Sequence, residues 1–212
     1  MPKIYLLNNQ KYEDVINLEI FKIKYIEKNI DFGNYDALIF TSKNAIYSID
    51  SFGNEWKNIN SYVIAKKTSD VAINLGGKVS FIGNSGHGNE FAKELVPLLK
   101  NKKVLFLKAK RVVSSLVDIL KENKIDINEE IVYETVCNDK LESITIEKGS
   151  IVIFTSPSSV DCFFKKYSWN NSLKAIVIGK TTAKYLPENV DFEISNYTSV
   201  DECVNLAKRY LF

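Results

Sequence analysis

The sequence predicts an α/β protein of two doubly wound parallel-sheet domains of related fold, joined by a two-stranded β ribbon. Three observations predict it. Short apolar runs alternate with stretches of helical period, which is the pattern of parallel strands covered by helices. The phrase LIFTSKNAI at Leu38 to Ile46 returns as VIFTSPSSV at Val152 to Val160. The segments EIFKIKYIE (19–27) and EIVYETVC (130–137) alternate apolar and polar residues, as the strands of a ribbon do.

Each copy of the doubled phrase is an apolar run, a Thr-Ser pair and then a helical pattern. Ala45, Ile46, Ile49 and Phe52 fall on one helical face, as do Val160, Phe163, Phe164 and Tyr167. Thr41, Ser42, Thr155 and Ser156 stand where a helix N-cap is wanted, and Pro157 suits a first helical turn. The repeat extends further, because YVIAKKTSDVAINLGG (62–77) has its counterpart in AIVIGKTTAKYLPEN (175–189). Thr41 to Thr155 and Thr68 to Thr182 share an offset of 114 residues. GNEFAKELVPLL is echoed by VDECVNLAKRYLF, where Ser199 and Glu202 are spaced for a capping box. KKVLFLKAKRVVSSLVDIL (102–120) resembles the N-terminal PKIYLLNNQKYEDVINLEI at an offset near 100. The chain is a diverged duplication.

Composition narrows the function classes. A 45% hydrophobic and 25% charged content over 212 residues is that of an ordinary globular protein, with room for two small domains. The opening MPKIYLLNN holds too short an apolar run for a signal-peptide core or a spanning helix, and is expected to be a buried strand. Net charge is +2, and Arg111 and Arg209 are the only arginines, so neither nucleic acid nor a membrane is expected as a partner. His87, the single histidine, excludes the commonest catalytic triads and multi-histidine metal sites. Cys137, Cys162 and Cys203 are few, odd in number and widely spaced, so no disulfide framework and no zinc ligand set are expected. The expected compartment is the reducing cytoplasm.

In order along the chain, an opening strand, FTSKNA, AKKTSDVAINLG, GNEFAKEL, VLFLKAKR, VYET, FTSPSSV and IGKTTAKYL resemble the uroporphyrinogen-III synthase family over essentially the whole length. The resemblance implies two α/β domains joined by a two-stranded ladder, with the N-terminal strand returning to the C-terminal domain. Carried onto this chain, one domain is 1–21 with 138–212, the other is 26–132, and 22–25 with 133–137 form the ribbon. It implies a monomeric lyase of haem biosynthesis that closes hydroxymethylbilane, a linear tetrapyrrole with eight carboxylates, to uroporphyrinogen III. Ring D is inverted on the way and water is lost, with no metal and no organic cofactor. A transient contact with the preceding pathway enzyme is a further expectation.

In that reaction the substrate's own pyrroles supply the electron push. The protein must fold a polyanion, assist departure of water and exclude the faster direct closure. Donors therefore matter more than a nucleophile. The turns holding Thr41, Ser42, Lys43 and Asn44, then Lys67 and Thr68, then Thr155, Ser156 and Ser158, then Thr181 and Thr182, are expected to offer backbone N–H groups at helix N-termini. In doubly wound sheets such turns gather at the strands' carboxyl ends, where ligands bind. Tyr133 of VYET matches a family tyrosine and is the leading candidate for acid assistance, since a phenol is protonated at neutral pH. Asn89, in GNSGHGNEF, matches a family asparagine that can hold an acetate or propionate arm. Lys108, Lys110 and Arg111 follow one strand, and Lys43, Lys66, Lys67 and Lys180 sit in other rim turns, cations that suit a substrate of eight carboxylates. Lys108-Ala109 stands where many relatives have Arg-Gly.

Each feature has a plainer use. The hydroxyl residues can merely cap helices, Tyr133 can merely pack, and lysines can merely be solvated. GNSGHGNEF fits neither the dinucleotide fingerprint nor the P-loop spacing. The rival of a different class is a two-lobed small-ligand binding or sensor protein without catalysis.

Overall fold

Residues 1–211 of the chain are described by a computed structural model. Phe212, the last residue of the span 138–212, lies outside them. In chain order the elements are β1 (Ile4–Leu6), β2 (Val15–Asn17), β3 (Phe21–Tyr25), β4 (Ala37–Phe40), α1 (Lys43–Asp50), β5 (Asn60–Val63), α2 (Lys66–Asn74) and β6 (Lys78–Ile82). They continue as α3 (Gly88–Leu95), β7 (Lys103–Ala109), α4 (Leu116–Glu122), β8 (Asp126–Cys137), β9 (Ile151–Phe154), α5 (Pro157–Lys166), β10 (Lys174–Val177), α6 (Lys180–Ala183), β11 (Phe192–Ile194) and α7 (Val200–Leu211). Contacts divide the chain into unit 1, Met1–Lys22 with Thr135–Phe212, and unit 2, Ile23–Glu134.

The sheet of unit 1 has the order β11-β10-β9-β1-β2, and every pair is parallel. The opening strand is thus an interior strand of the sheet that the C-terminal half builds. Alternate residues explain why it is apolar throughout. Ile4 and Leu6 join Ile151, Ile153 and Ile176 on the face covered by Cys203, Val204 and Ala207 of α7. Tyr5 and Leu7 join Val152, Phe154 and Val177 on the face covered by Val160 and Phe163 of α5. A parallel strand buried on both faces has no polar side to display. Phe154, Phe163, Phe164 and Trp169 complete an aromatic cluster, with Phe154 and Phe163 edge to face at 5.3 Å.

Unit 2 repeats the plan. Its sheet has the order β3-β8-β7-β4-β5-β6, parallel from β8 through β6. Leu38, Phe40, Leu105 and Leu107 pack under Ala45, Ile46 and Ile49 of α1, Ala72 of α2 and Trp56. Ala37, Ile39, Val104 and Phe106 pack under Phe91 and Leu95 of α3 and Leu116 and Leu120 of α4. Strand for strand, β6, β5, β4, β7 and β8 correspond to β11, β10, β9, β1 and β2. α2 ends in a Schellman turn: Gly76 at φ 86° and Gly77 return their N–H groups to Ile73 and Ala72 at 2.9 and 2.8 Å. A side chain at Gly77 would strike the buried Trp56 ring, at 2.3 Å from its Cβ. That glycine lets the helix end press against the core.

β3 lies beside β8, and its pairing is antiparallel. Ile26 N–H bonds Val132 O at 2.8 Å while Asn138 N–H bonds Ile20 O at 2.9 Å, so the partner's number falls as the residue's rises. β8 is one strand of twelve residues, pairing in parallel with β7 as far as Tyr133 before running on to Cys137. Its tail alternates apolar and polar residues because this far part pairs with β3 and has no parallel neighbour to bury it.

Two sequence expectations are corrected. Cys137 and Cys162 form a disulfide, with Cα atoms 5.2 Å apart, and Cys203 is the buried free thiol. Spacing along the chain does not measure distance. The end of β8 comes to rest beside α5, where both residues belong to one apolar cluster. Ser199 does not pair with Glu202 in the hydrogen bonds of α7. Its hydroxyl donates to Asp201 at 3.3 Å, and that carboxylate also takes the Tyr12 phenol at 2.7 Å.

Candidate active site

In a sheet of this order, successive crossovers change direction between β4 and β7 in unit 2 and between β9 and β1 in unit 1. The carboxyl ends of such a strand pair are where a doubly wound sheet opens a crevice. In unit 2 these ends carry Thr41 and Ser42, just past β4, on one side, and Lys108 and Ala109, the last of β7, with Lys110 and Arg111 beyond them on the other.

Ser42 has extended dihedrals (φ −155°, ψ 140°), and its Oγ accepts the Asn44 N–H at 3.2 Å, so it is the N-cap of α1. Thr41, Ser42 and Asn44 are half-buried and Lys43 is exposed. Tyr133 is 8% exposed and packs in the same core as α1. Burial pushes its phenol above the ordinary range, and the neighbouring Ser42 hydroxyl opposes the shift. The doubled phrase and the candidate acid are therefore neighbours within one unit.

The strand opposite carries the charge. Lys108 forms an ion pair with Glu129, which also lies 3.7 Å from Lys121. Lys110 and Lys24 hold Glu134 at 3.1 and 3.4 Å, and these two cations keep that carboxyl below its ordinary range. Around Lys108 a depression of about 390 Å³ is lined by Lys108, Lys110, Arg111, Ser114, Lys121 and Glu129, within the size range of small-molecule pockets.

Other expected residues divide. Thr68 and Thr182 are not caps. They lie at the third position of α2 and α6, 6% and 3% exposed, while the N-caps are Ala65 and Gly179, which have no polar side chain. Lys67 and Thr181 are exposed, and Lys66 pairs with Asp70 one turn on. Asn89 Oδ1 accepts the Ser115 N–H at 2.9 Å, which ties α3 to the start of α4. His87 is an exposed loop residue at the N-cap of α3 and makes no side-chain cap.

The two copies of the doubled phrase are chemically unequal. In unit 1, Ser156 caps α5 through the Ser159 N–H at 3.1 Å, and Ser159 Oγ accepts the N–H groups of both Thr155 and Ser156 at 3.1 Å. Pro157 has no N–H, so of the expected donors in that turn the Ser158 N–H is left. At the 114-residue offset, Ser159 corresponds to Ala45, which has no oxygen to do the same. In the first copy Ser42 takes the Asn44 N–H and no Ser159 equivalent takes those of Thr41 and Ser42; the second copy spends the Thr155 and Ser156 donors internally.

Sequence reasoning missed three features. Ser48, 0% exposed on the apolar face of α1, donates its hydroxyl to the Val132 carbonyl, and a polar residue in that periodic stripe was the signal. Ser159 was signalled by its place three residues after Ser156. The Asn8 to Lys11 loop lies past β1 at the unit 1 switch point, the counterpart of Lys108 to Arg111. There Asn17 Nδ2 donates to Asn8 O and Gln10 O at 2.9 and 2.8 Å, and the Asn8 carbonyl oxygen Oδ1 accepts the Gln10 N–H at 2.9 Å.

Among the described residues no helix is long and apolar enough to cross a membrane, and no three His, Cys, Asp or Glu residues are grouped to hold a metal ion.

The sequence profile of a family described as "Uroporphyrinogen-III synthase HemD" matches residues 19–194. The crystal structure of uroporphyrinogen-III synthetase from Helicobacter pylori 26695 superposes with a TM-score of 0.84 at 31% identity, covering 99% of each chain. A mutant uroporphyrinogen III synthase from the extremely thermophilic bacterium Thermus thermophilus shares the fold, with a TM-score of 0.59 at 12% identity over 100% of this chain and 99% of that one. No curated protein sequence matches the chain. With a family profile spanning most of its length and a relative of nearly a third identity aligned end to end, the chain belongs to the uroporphyrinogen-III synthase family.

Proposed function

We propose that the protein converts hydroxymethylbilane to uroporphyrinogen III, as a lyase of haem biosynthesis acting without metal or organic cofactor. The observation that carries this is the placing of the buried Tyr133 phenol beside Ser42 at the switch point of unit 2, opposite a rim of lysines. The Tyr133 O–H donates to the departing hydroxyl as the C–O bond breaks, and the pyrrole nitrogen's electron pair completes an azafulvene. Water leaves with that proton. Ring D then attacks through its substituted α-carbon to form a spirocyclic pyrrolenine, which fragments and recloses through the other α-carbon. Loss of a proton restores the aromatic pyrrole, and the phenolate of Tyr133 accepts it.

The cations and open N–H groups serve a different part of the task. Acetate and propionate arms are held at Lys108, Lys43, Lys67 and the first turn of α1. Fixing the arms keeps ring D from the faster direct closure, whose product is the type I isomer. The test is to supply freshly generated hydroxymethylbilane, oxidise the products and resolve the isomers. Type III should dominate; only type I, as in a no-protein control, would end this reading.

A further inference from the structure

Val132 and Tyr133 are consecutive on β8, and consecutive strand residues ordinarily point to opposite faces. Here both lie in one core beneath α1. The cause is a slip in the pairing with β7, where Lys108 pairs with Ile131 but Ala109 pairs with Tyr133. Val132 is the extra residue of a β-bulge, a device that re-aims a side chain at the cost of ladder bonds. Its carbonyl accepts from Ile26 N–H at 2.8 Å and from the Ser48 hydroxyl. Just past the slip, Lys110 N–H bonds Tyr133 O at 2.9 Å and closes the ladder again.

Ser48 is the only polar side chain among the buried residues of α1. A hydroxyl there is costly unless bonded, and its bond goes to the residue before Tyr133. Tyr133 itself packs in the core beneath the same helix, 8% exposed, so the aim of its phenol depends on where the bulge is held.

We propose that α1 is a positioning element for Tyr133: Ser48 pins the bulge through the Val132 carbonyl and so aims the phenol at the substrate's leaving hydroxyl. This rests on the reading of Tyr133 as the proton donor. Ser48 acts through Tyr133 and is a positioning residue. The arrangement also accounts for a buried serine within the helix's apolar stripe.

The test is a double-mutant cycle with Tyr133→Phe. Ser48→Ala should lower kcat at least fivefold with KM within twofold, and in the Tyr133→Phe background it should lower kcat no further. Equal losses in both backgrounds would overturn the proposal, as would an unchanged kcat in the single variant. A second measurement needs no turnover. The Tyr133 phenol, followed at 295 nm as the difference from Tyr133→Phe, should titrate at lower pH in Ser48→Ala than in the parent, because a phenol no longer held in the core loses the burial that raises it. An unchanged or higher titration would remove Ser48 from this role. If the parent protein yielded only type I isomer, the proposed function would fail while this titration still decided the pin.

Discussion

The Ser48 hydroxyl of α1 donates to the carbonyl of Val132, the residue before the buried Tyr133, so a helix and the strand that carries the candidate acid are tied by one oxygen. Tyr133→Phe removes the proton and keeps the ring in its core, where it contributes packing. We expect kcat to fall about a hundredfold or more, within the roughly 10²- to 10⁴-fold range ascribed to one positioned acid, with the thermal midpoint within about 3 °C of the parent. Steady-state assay of type III product checks the first, and a melting curve the second. An unchanged kcat would leave Tyr133 a packing residue.

Lys108 is engaged by Glu129 before any substrate arrives. A carboxylate arm must compete with Glu129 for that cation. Glu129→Gln should therefore lower KM for hydroxymethylbilane two- to fivefold, and Lys108→Gln should raise it by a similar factor. If the two changes moved KM in the same direction, the ion pair would be a structural contact without a share in substrate binding.

Ser159 satisfies two N–H groups at once, and it is 0% exposed. Ser159→Ala breaks the capping box of α5 and leaves Thr155 and Ser156 N–H without that acceptor. A loss of about 1 kcal/mol is expected, seen as a fall of about 2–4 °C in thermal midpoint for a chain of this size. The matching change at Ala45, to serine, should add a competitor for the Thr41 and Ser42 donors and weaken substrate binding. Kinetics that ignored Ala45→Ser would show that those donors do not meet the substrate.

The Cys137–Cys162 bridge closes a loop across 25 residues of sequence. By the loop-entropy argument, Cys162→Ser should cost about 3 kcal/mol under oxidising conditions and almost nothing once the parent is reduced. Thiol titration of the denatured, unreduced chain should count one reactive group, Cys203, out of three cysteines. A count of three would mean that the bridge does not form.

How much of this was legible beforehand varies with the range of the interaction concerned. The caps at Ser42 and Ser156 were readable because a cap is made within three residues of itself. The alternating burial of β1, β4, β7 and β9 was readable because a strand buried on both faces must be apolar throughout. Thr68 and Thr182 looked like caps, yet backbone positions without polar side chains, Ala65 and Gly179, begin those helices. Nothing near Val132 announces a bulge, because register belongs to the pair of strands and not to either one. The Cys137–Cys162 bond was hidden for a related reason: the fold of unit 1 decides which helix the end of β8 meets.

β1 takes its place between β9 and β2, and Lys3 N–H reaches Ser150 Oγ across 147 residues of sequence. That has a consequence for the order of events as the chain is made. The strands β4 to β8 emerge from the ribosome as one uninterrupted run and can close their sheet at once. β1, made earlier, has its neighbour β2 but must wait for β9 before its other edge is covered. Distant pairings of this kind are slow because chain entropy is lost before contacts repay it. Pulse-labelled hydrogen exchange during refolding should protect the amides of β4, β5 and β7 first and those of β1 last; simultaneous protection would mean that both sheets close together.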